Sequence, residues 1–102
     1  MLLTVSNATD IYSDYERAVL THTLQDFNSK YAGNFIDGEG ICINVDHAEI
    51  GDTVVVQVGG HIFKVVLILH ENTKIKVGDR VSFTGRVFLG TYHMGLLINI
   101  EG

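Results

Sequence analysis

Five histidines and one cysteine are the side chains of this 102-residue protein best suited to chemistry, and their spacing limits what that chemistry is. His22, His47, His61, His70 and His93 are dispersed along the whole chain. No two have the His-x-x-x-His spacing that sets a pair of imidazoles on one helical face around a metal, and Cys42 has no Cys-x-x-Cys partner. Asp46-His47-Ala48-Glu49 is a partial oxygen and nitrogen donor set that needs a further ligand from elsewhere. Scattered surface histidines account for the pattern better, so no metal is expected. Cys42, in a strand pattern near a bend, reads as a small buried side chain rather than a nucleophile. No serine stands in a Gly-x-Ser-x-Gly elbow. Gly59-Gly60 lacks the lysine and helix of a phosphate-cradling loop. Without a paired acid and base or an activated nucleophile, the expectation is a protein that is not an enzyme and needs no cofactor.

Composition points to a packed domain. An apolar fraction of 46% and a mean hydropathy of +0.23 suit a buried core and argue against disorder. Eleven glycines with no proline suit a β-rich chain with tight turns. The net charge is −5, so the strongly basic balance of a non-specific nucleic-acid binder is absent. Charge is uneven: residues 1–51 carry eight acids against two bases, and residues 52–102 carry four against five. A single cysteine permits no intrachain disulfide, which fits a reducing compartment. Met1-Leu2-Leu3-Thr4-Val5 has no basic segment and is too short for a signal sequence. No apolar run reaches the ~18 residues of a membrane span. A cytoplasmic, membrane-free protein is the expectation.

The elements that must position any site read as one helix followed by five strands. After an extension over 1–12, the region 13–33 reads as a helix. Ser13 and Glu16 match a capping box, in which each side chain satisfies the other's free amide. Leu20, Leu24, Phe27 and Tyr31 recur at helical spacing, with Arg17, Thr21, Gln25 and Asn28 opposite. Gly33-Asn34 is the stop signal. The barrel region, 34–100, then alternates with period two. Ile41, Ile43 and Val45 face one way and Cys42 and Asn44 the other, with Gly38 and Gly40 marking a bulge or bend. Strands follow over 53–58 and 61–70, joined by Gly59-Gly60 as a two-residue hairpin. The second of these is apolar on both faces, with Ile62, Val66 and Ile68 opposite Phe63, Val65, Leu67 and Leu69. It needs two covers, one of them the barrel interior and the other the helix or a second subunit. A turn at Gly78-Asp79 leads to a strand over about 80–89, in which Gly85 marks a bend. The last strand is 96–100. One domain over 1–102 is expected.

This order resembles the oligonucleotide/oligosaccharide-binding (OB) fold, a five-stranded Greek-key barrel. Val77-Gly78-Asp79-Arg80-Val81-Ser82-Phe83-Thr84-Gly85-Arg86-Val87 resembles the lead-in to the fourth strand of many OB domains. Asp26-Phe27-Asn28-Ser29-Lys30-Tyr31-Ala32-Gly33-Asn34 resembles the passage from helix to first strand in the bacterial tRNA anticodon-like OB families. Unlike many OB domains, the chain has room only for a turn, Glu71–Lys76, between its third and fourth strands. The resemblance implies a mainly β, OB-like Greek-key barrel with one amphipathic N-terminal helix packed on it.

It also implies where a ligand binds: across strands two and three, between the loops Asp46–Asp52 and Leu89–Gly95. Phe88, Tyr92 and His93 offer flat rings for bases, and Arg86 and Lys64 offer cations for phosphates. The competing assignment is structural, with Phe88 under the loop, Tyr92 capping the barrel and Arg86 a solvated strand residue. Two functions follow. One is a binding module for single-stranded nucleic acid or a nucleotide. The other is a protein-protein interaction module (subunit, adaptor, inhibitor or homodimer) that covers the surplus apolar strand surface.

Overall fold

The computed structural model describes residues 8–61 and 63–101. The expected extension is therefore visible only from Ala8, and Met1–Val5 and Ile62 lie outside the described residues. Two helices take the place of the single expected one. They are α1, Ala8–Thr21, and α2, Leu24–Tyr31. Because α1 begins at Ala8, Ser13 lies inside the helix, where its amide is already paired, and no capping box forms. The buried stripe of α1 is Ile11, Tyr12, Tyr15 and Ala18, whereas Leu20 is 76% exposed. The expected stripe fails at Leu20 because the helix axis turns before Leu24.

His22 makes that turn. Its φ of 57° is left-handed. The His22 amide donates to Val19 O at 3.4 Å, and the Thr23 amide donates to Ala18 O at 2.9 Å. This is the paired Schellman closure, with histidine where glycine is usual. Leu24, Phe27 and Tyr31 then form the buried face of α2. Burying an apolar side chain of Leu or Phe size contributes ~1.5–3 kcal/mol, which is ample to dock a two-turn helix that would not persist alone.

The strands are β1 (Phe35–Asp46), β2 (Thr53–Val58), β3 (Lys64–Ile68), β4 (Arg80–Gly90) and β5 (Leu96–Asn99). They close into a barrel in the order β1-β2-β3-β5-β4. All pairings are antiparallel except β3 with β5. The protein is thus mainly β with the OB-like barrel order, and the expected fold class holds, with two helices in place of one. The long β1 pairs with both β2 and β4, which lets five short strands close. Its register shifts between Cys42 and Asn44. Cys42 is buried and a free thiol, while Ile41 and Ile43 both point outward. At Gly85 a Cβ would stand 2.3 Å from Asn99 O, so glycine is required where β4 crowds β5.

The Gly59-Gly60 hairpin is longer than expected, since β3 begins only at Lys64. Gln57 Nε2 donates to His61 O at 2.6 Å and to Phe63 O at 3.2 Å, so His61 and Phe63 fold over the strand end. There they meet α1: the Phe63 ring lies 4.8 Å from Tyr15 and 5.9 Å from Tyr12. Tyr12 Oη donates to Asp37 O at 3.1 Å. The helix pair therefore caps one end of the barrel, α1 against β1 and α2 against β4. On the outer face, Val55, Val66, Leu97 and Leu89 are successive neighbours across four strands.

Candidate ligand-binding cleft

The capped end of the barrel carries a cleft of about 270 Å³. One wall is α1, where the adjacent pairs Tyr15-Glu16 and Val19-Leu20 stand four residues apart and so share a face. The other wall is the β4–β5 loop, from Tyr92 to Gly95, and Phe63 and Lys64 lie at the base.

The loop is held in a fixed shape. The Thr91 amide donates to Gly95 O at 3.1 Å, the Thr91 hydroxyl donates to the same oxygen at 2.8 Å, and the Met94 amide donates to Thr91 Oγ1 at 2.9 Å. Gly95 has a φ of 92°, and a Cβ there would stand 2.2 Å from Lys64 O, so only glycine lets the loop close onto β3. Tyr15 ties the two walls together by donating its hydroxyl to Thr91 O. Burial pushes the Tyr15 phenol up, which keeps it protonated as that donor. The Tyr92 ring rests 5.7 Å from His22 at the end of α1 and stays 44% exposed.

Glu16 is the acidic group of the cleft. Its Oε1 accepts from His61 Nδ1, and His61 lies 5.2 Å from both Tyr12 and Phe63, ring to ring. A carboxylate only accepts, so this bond places the imidazole proton on Nδ1.

Of the residues singled out in the sequence, the structure brings Lys64, Tyr92 and His93 into this cleft. Arg86 and Phe88 are elsewhere. Both occupy outward positions on β4, while the cleft opens beyond the strand end. The Arg86 guanidinium lies 4.0 Å from the Phe35 ring centroid, donates to Glu101 Oε1 at 2.6 Å and donates to Gly33 O at 3.1 Å. It is therefore no free solvated cation. Phe88 stands in the β4 irregularity between Val87 and Leu89, half exposed rather than packed under the loop. Tyr15, Glu16, Phe63 and Met94 were not singled out from sequence. The available signal was the helical spacing of Tyr15 with Val19 and of Glu16 with Leu20, which needed the position of α1 to acquire meaning.

The other implied loop, Asp46–Asp52, lies at the opposite end of the barrel, because β1 and β4 run antiparallel. It is closed by the buried Asp52, which accepts from the Thr73 amide at 2.7 Å and bonds His47 Nδ1 at 2.8 Å. His47 is thus engaged by Asp52 rather than by Asp46 or Glu49. Among the described residues, no three His, Cys, Asp or Glu side chains gather as a metal site. No helix among them is long and apolar enough to cross a membrane.

No family model matches the chain. No curated protein sequence matches it significantly. Its fold is similar to that of a crystal structure from Klebsiella pneumoniae, a "putative nucleic acid-binding lipoprotein", with a TM-score of 0.63. The two share 9% identity over 91% of this chain and 84% of the other. The likeness is one of fold. In OB-like terms, the cleft sits beside the loop that joins the fourth and fifth strands, one of the two that flank ligands on such barrels.

Proposed function

We propose that this protein is a non-catalytic binding module for single-stranded nucleic acid, and that the cleft between α1 and the β4–β5 loop holds a base. The convergence of Lys64, Tyr92 and His93 on one cleft carries this reading. Tyr92 offers a stacking face, Lys64 offers charge to the adjoining phosphate, and His93 adds a second flat ring at the cleft. From the cleft a strand would cross the outer faces of β2 and β3 toward the Asp52 loop. The similarity to the Klebsiella protein supports the reading at the level of fold. Kinship with the tRNA anticodon-like OB families belongs to the same proposal, supported by the passage from helix into closed barrel.

Fluorescence anisotropy with short labelled single strands tests it at about 50 mM salt, where phosphate contacts are strongest. Tyr92→Ala is expected to weaken binding roughly 5- to 150-fold, the equivalent of ~1–3 kcal/mol of stacking. Phe88→Ala, outside the cleft, is expected to leave it unchanged. Absence of binding, or full binding by the Tyr92 variant, overturns the reading.

A second reading, a protein-interaction module, is favoured by the exposure of Phe35, Ile41, Ile43, Phe88 and Leu89 on β1 and β4. It predicts concentration-dependent self-association or partner capture that Phe88→Ser and Leu89→Ser reduce. A monomer in sedimentation with no partner recovered counts against it.

A further inference from the structure

We infer that Glu16 makes the cleft selective for nucleobases bearing an amino group on their pairing edge, cytosine and adenine among them, over thymine and uracil. This rests on the nucleic-acid reading and adds to it the identity of the base.

Three observations carry it. First, Glu16 lines the cleft together with Tyr92 and Lys64, so a base seated beside the Tyr92 ring lies within the carboxylate's surroundings. Second, the carboxylate is oriented. His61 holds Oε1, and His61 is itself only 14% exposed, set between the Tyr12 and Phe63 rings. Third, one oxygen has no protein hydrogen bond among the described residues: Oε2 is unbonded there, and the Glu16 side chain is 30% exposed and lines the cleft.

An oriented carboxylate oxygen in a cleft walled by aromatic and aliphatic side chains is a pure acceptor, and it discriminates by what the base edge donates. Cytosine N4 and adenine N6 are donors that such an oxygen takes directly. Thymine and uracil place carbonyl oxygens there, and their one edge N–H is flanked by two of them. A carbonyl facing Glu16 would be repelled, and the carboxylate would lose solvent without gaining a partner. Lys64 contacts phosphate in any sequence, so it adds affinity without discrimination.

The test uses the full chain and short homo-oligomers of dC, dA and dT in anisotropy titrations at about 50 mM salt. The wild type is expected to bind oligo-dC and oligo-dA roughly fivefold or more tightly than oligo-dT. Glu16→Gln, whose amide both donates and accepts, is expected to bring the three within about twofold. Lys64→Ala is expected to weaken all three alike. A merely structural clasp between Glu16 and His61 would change the melting temperature and leave the dC-to-dT ratio intact. A second probe needs no variant: oligo-dC whose bases lack the 4-amino group is expected to fall to the oligo-dT level on the wild-type protein. Equal binding of dC and dT by the wild type, or an unchanged ratio in Glu16→Gln, overturns the inference while leaving the nucleic-acid reading standing. No binding to any oligomer overturns both.

Discussion

Asp52 is 1% exposed, yet it is a carboxylate, and every oxygen it has is used. The Thr73 amide and His47 Nδ1 reach it, and Asn72, with its amide turned to donate, reaches Oδ1 at 3.1 Å and Ala48 O at 3.0 Å. Its own backbone pairs with Glu71 O and with the Leu69 amide. One side chain thereby fastens the β1–β2 loop to the β3–β4 connection. The Thr73 amide bond, helped by His47 and opposed by burial, holds the carboxyl below its usual range. A depressed folded pKa adds stability above the unfolded value of ~3.9, and that stability is lost as pH falls through the folded value. Asp52→Asn is therefore expected to melt below the wild type at neutral pH, with the gap holding down to about pH 5 and closing as the solution is acidified through and below the unfolded value of ~3.9. Thermal unfolding followed by circular dichroism across that range measures it; a constant gap would show that the charge contributes nothing. Nothing in the local sequence marks Asp52. It stands in a polar run beside Asp46 and Glu49, and only the return of Thr73 from the far side of β3 selects it as the partner of His47.

Between elements, the corresponding fastening is Asn28. Its Nδ2 donates to Gly90 O at 3.1 Å, and its Oδ1 accepts from the Gly90 amide at 2.7 Å, so α2 completes the hydrogen bonding of the last residue of β4. Gly90 is also where Tyr15 and Phe27 pack, and a Cβ there would stand 3.0 Å from the Tyr15 ring. Asn28→Ala leaves a buried amide and carbonyl unpaired, at an expected cost of about 1–3 kcal/mol. Asn28→Asp keeps the acceptor but turns a carboxylate oxygen toward the Gly90 carbonyl, so it too should fall below the wild type. Denaturant midpoints would order the three proteins, and an alanine variant as stable as the wild type would remove Asn28 from this role. The strands were legible because one-sided burial imposes alternation: Val81, Phe83 and Val87 are inside as their spacing requires. The helix pair was less so. Thr21-His22-Thr23 contains no glycine or proline, and the Schellman closure at His22 is imposed by docking α2 on β4. Asn28 read as part of the solvent face because its partner lies 62 residues away.

At the scale of the whole molecule, the net charge of −5 bears directly on nucleic-acid binding, and the ion pairs sharpen the point. Arg17 and Lys30 pair with Asp14, Arg80 with Glu39, and Arg86 with Glu101. Among the described residues, Lys64, Lys74 and Lys76 are the lysines and arginines without an acidic partner, and only Lys64 is at the cleft. Lys74 and Lys76 lie in the β3–β4 connection, at the other end of the barrel. The excess of bases in the second half was visible in the sequence, whereas their engagement by Glu39 and Glu101 was not. Both pairs cross between strands, or between a strand and the segment after β5. A single strand that meets Lys64 at the cleft neutralises about one phosphate there. The slope of log affinity against log salt is then about −0.7. Raising salt from about 50 to 200 mM should weaken binding only roughly threefold, against the thousandfold or more of a binder with six to ten phosphate contacts. Replacing Lys74 and Lys76 together by alanine should leave the slope where it was, and Lys64→Ala should flatten it by about 0.7. A steep slope that responds to Lys74 and Lys76 would move the binding surface to the opposite end of the barrel. A shallow one that responds only to Lys64 places the phosphate at the cleft, where stacking and the base edge, rather than charge, set the affinity.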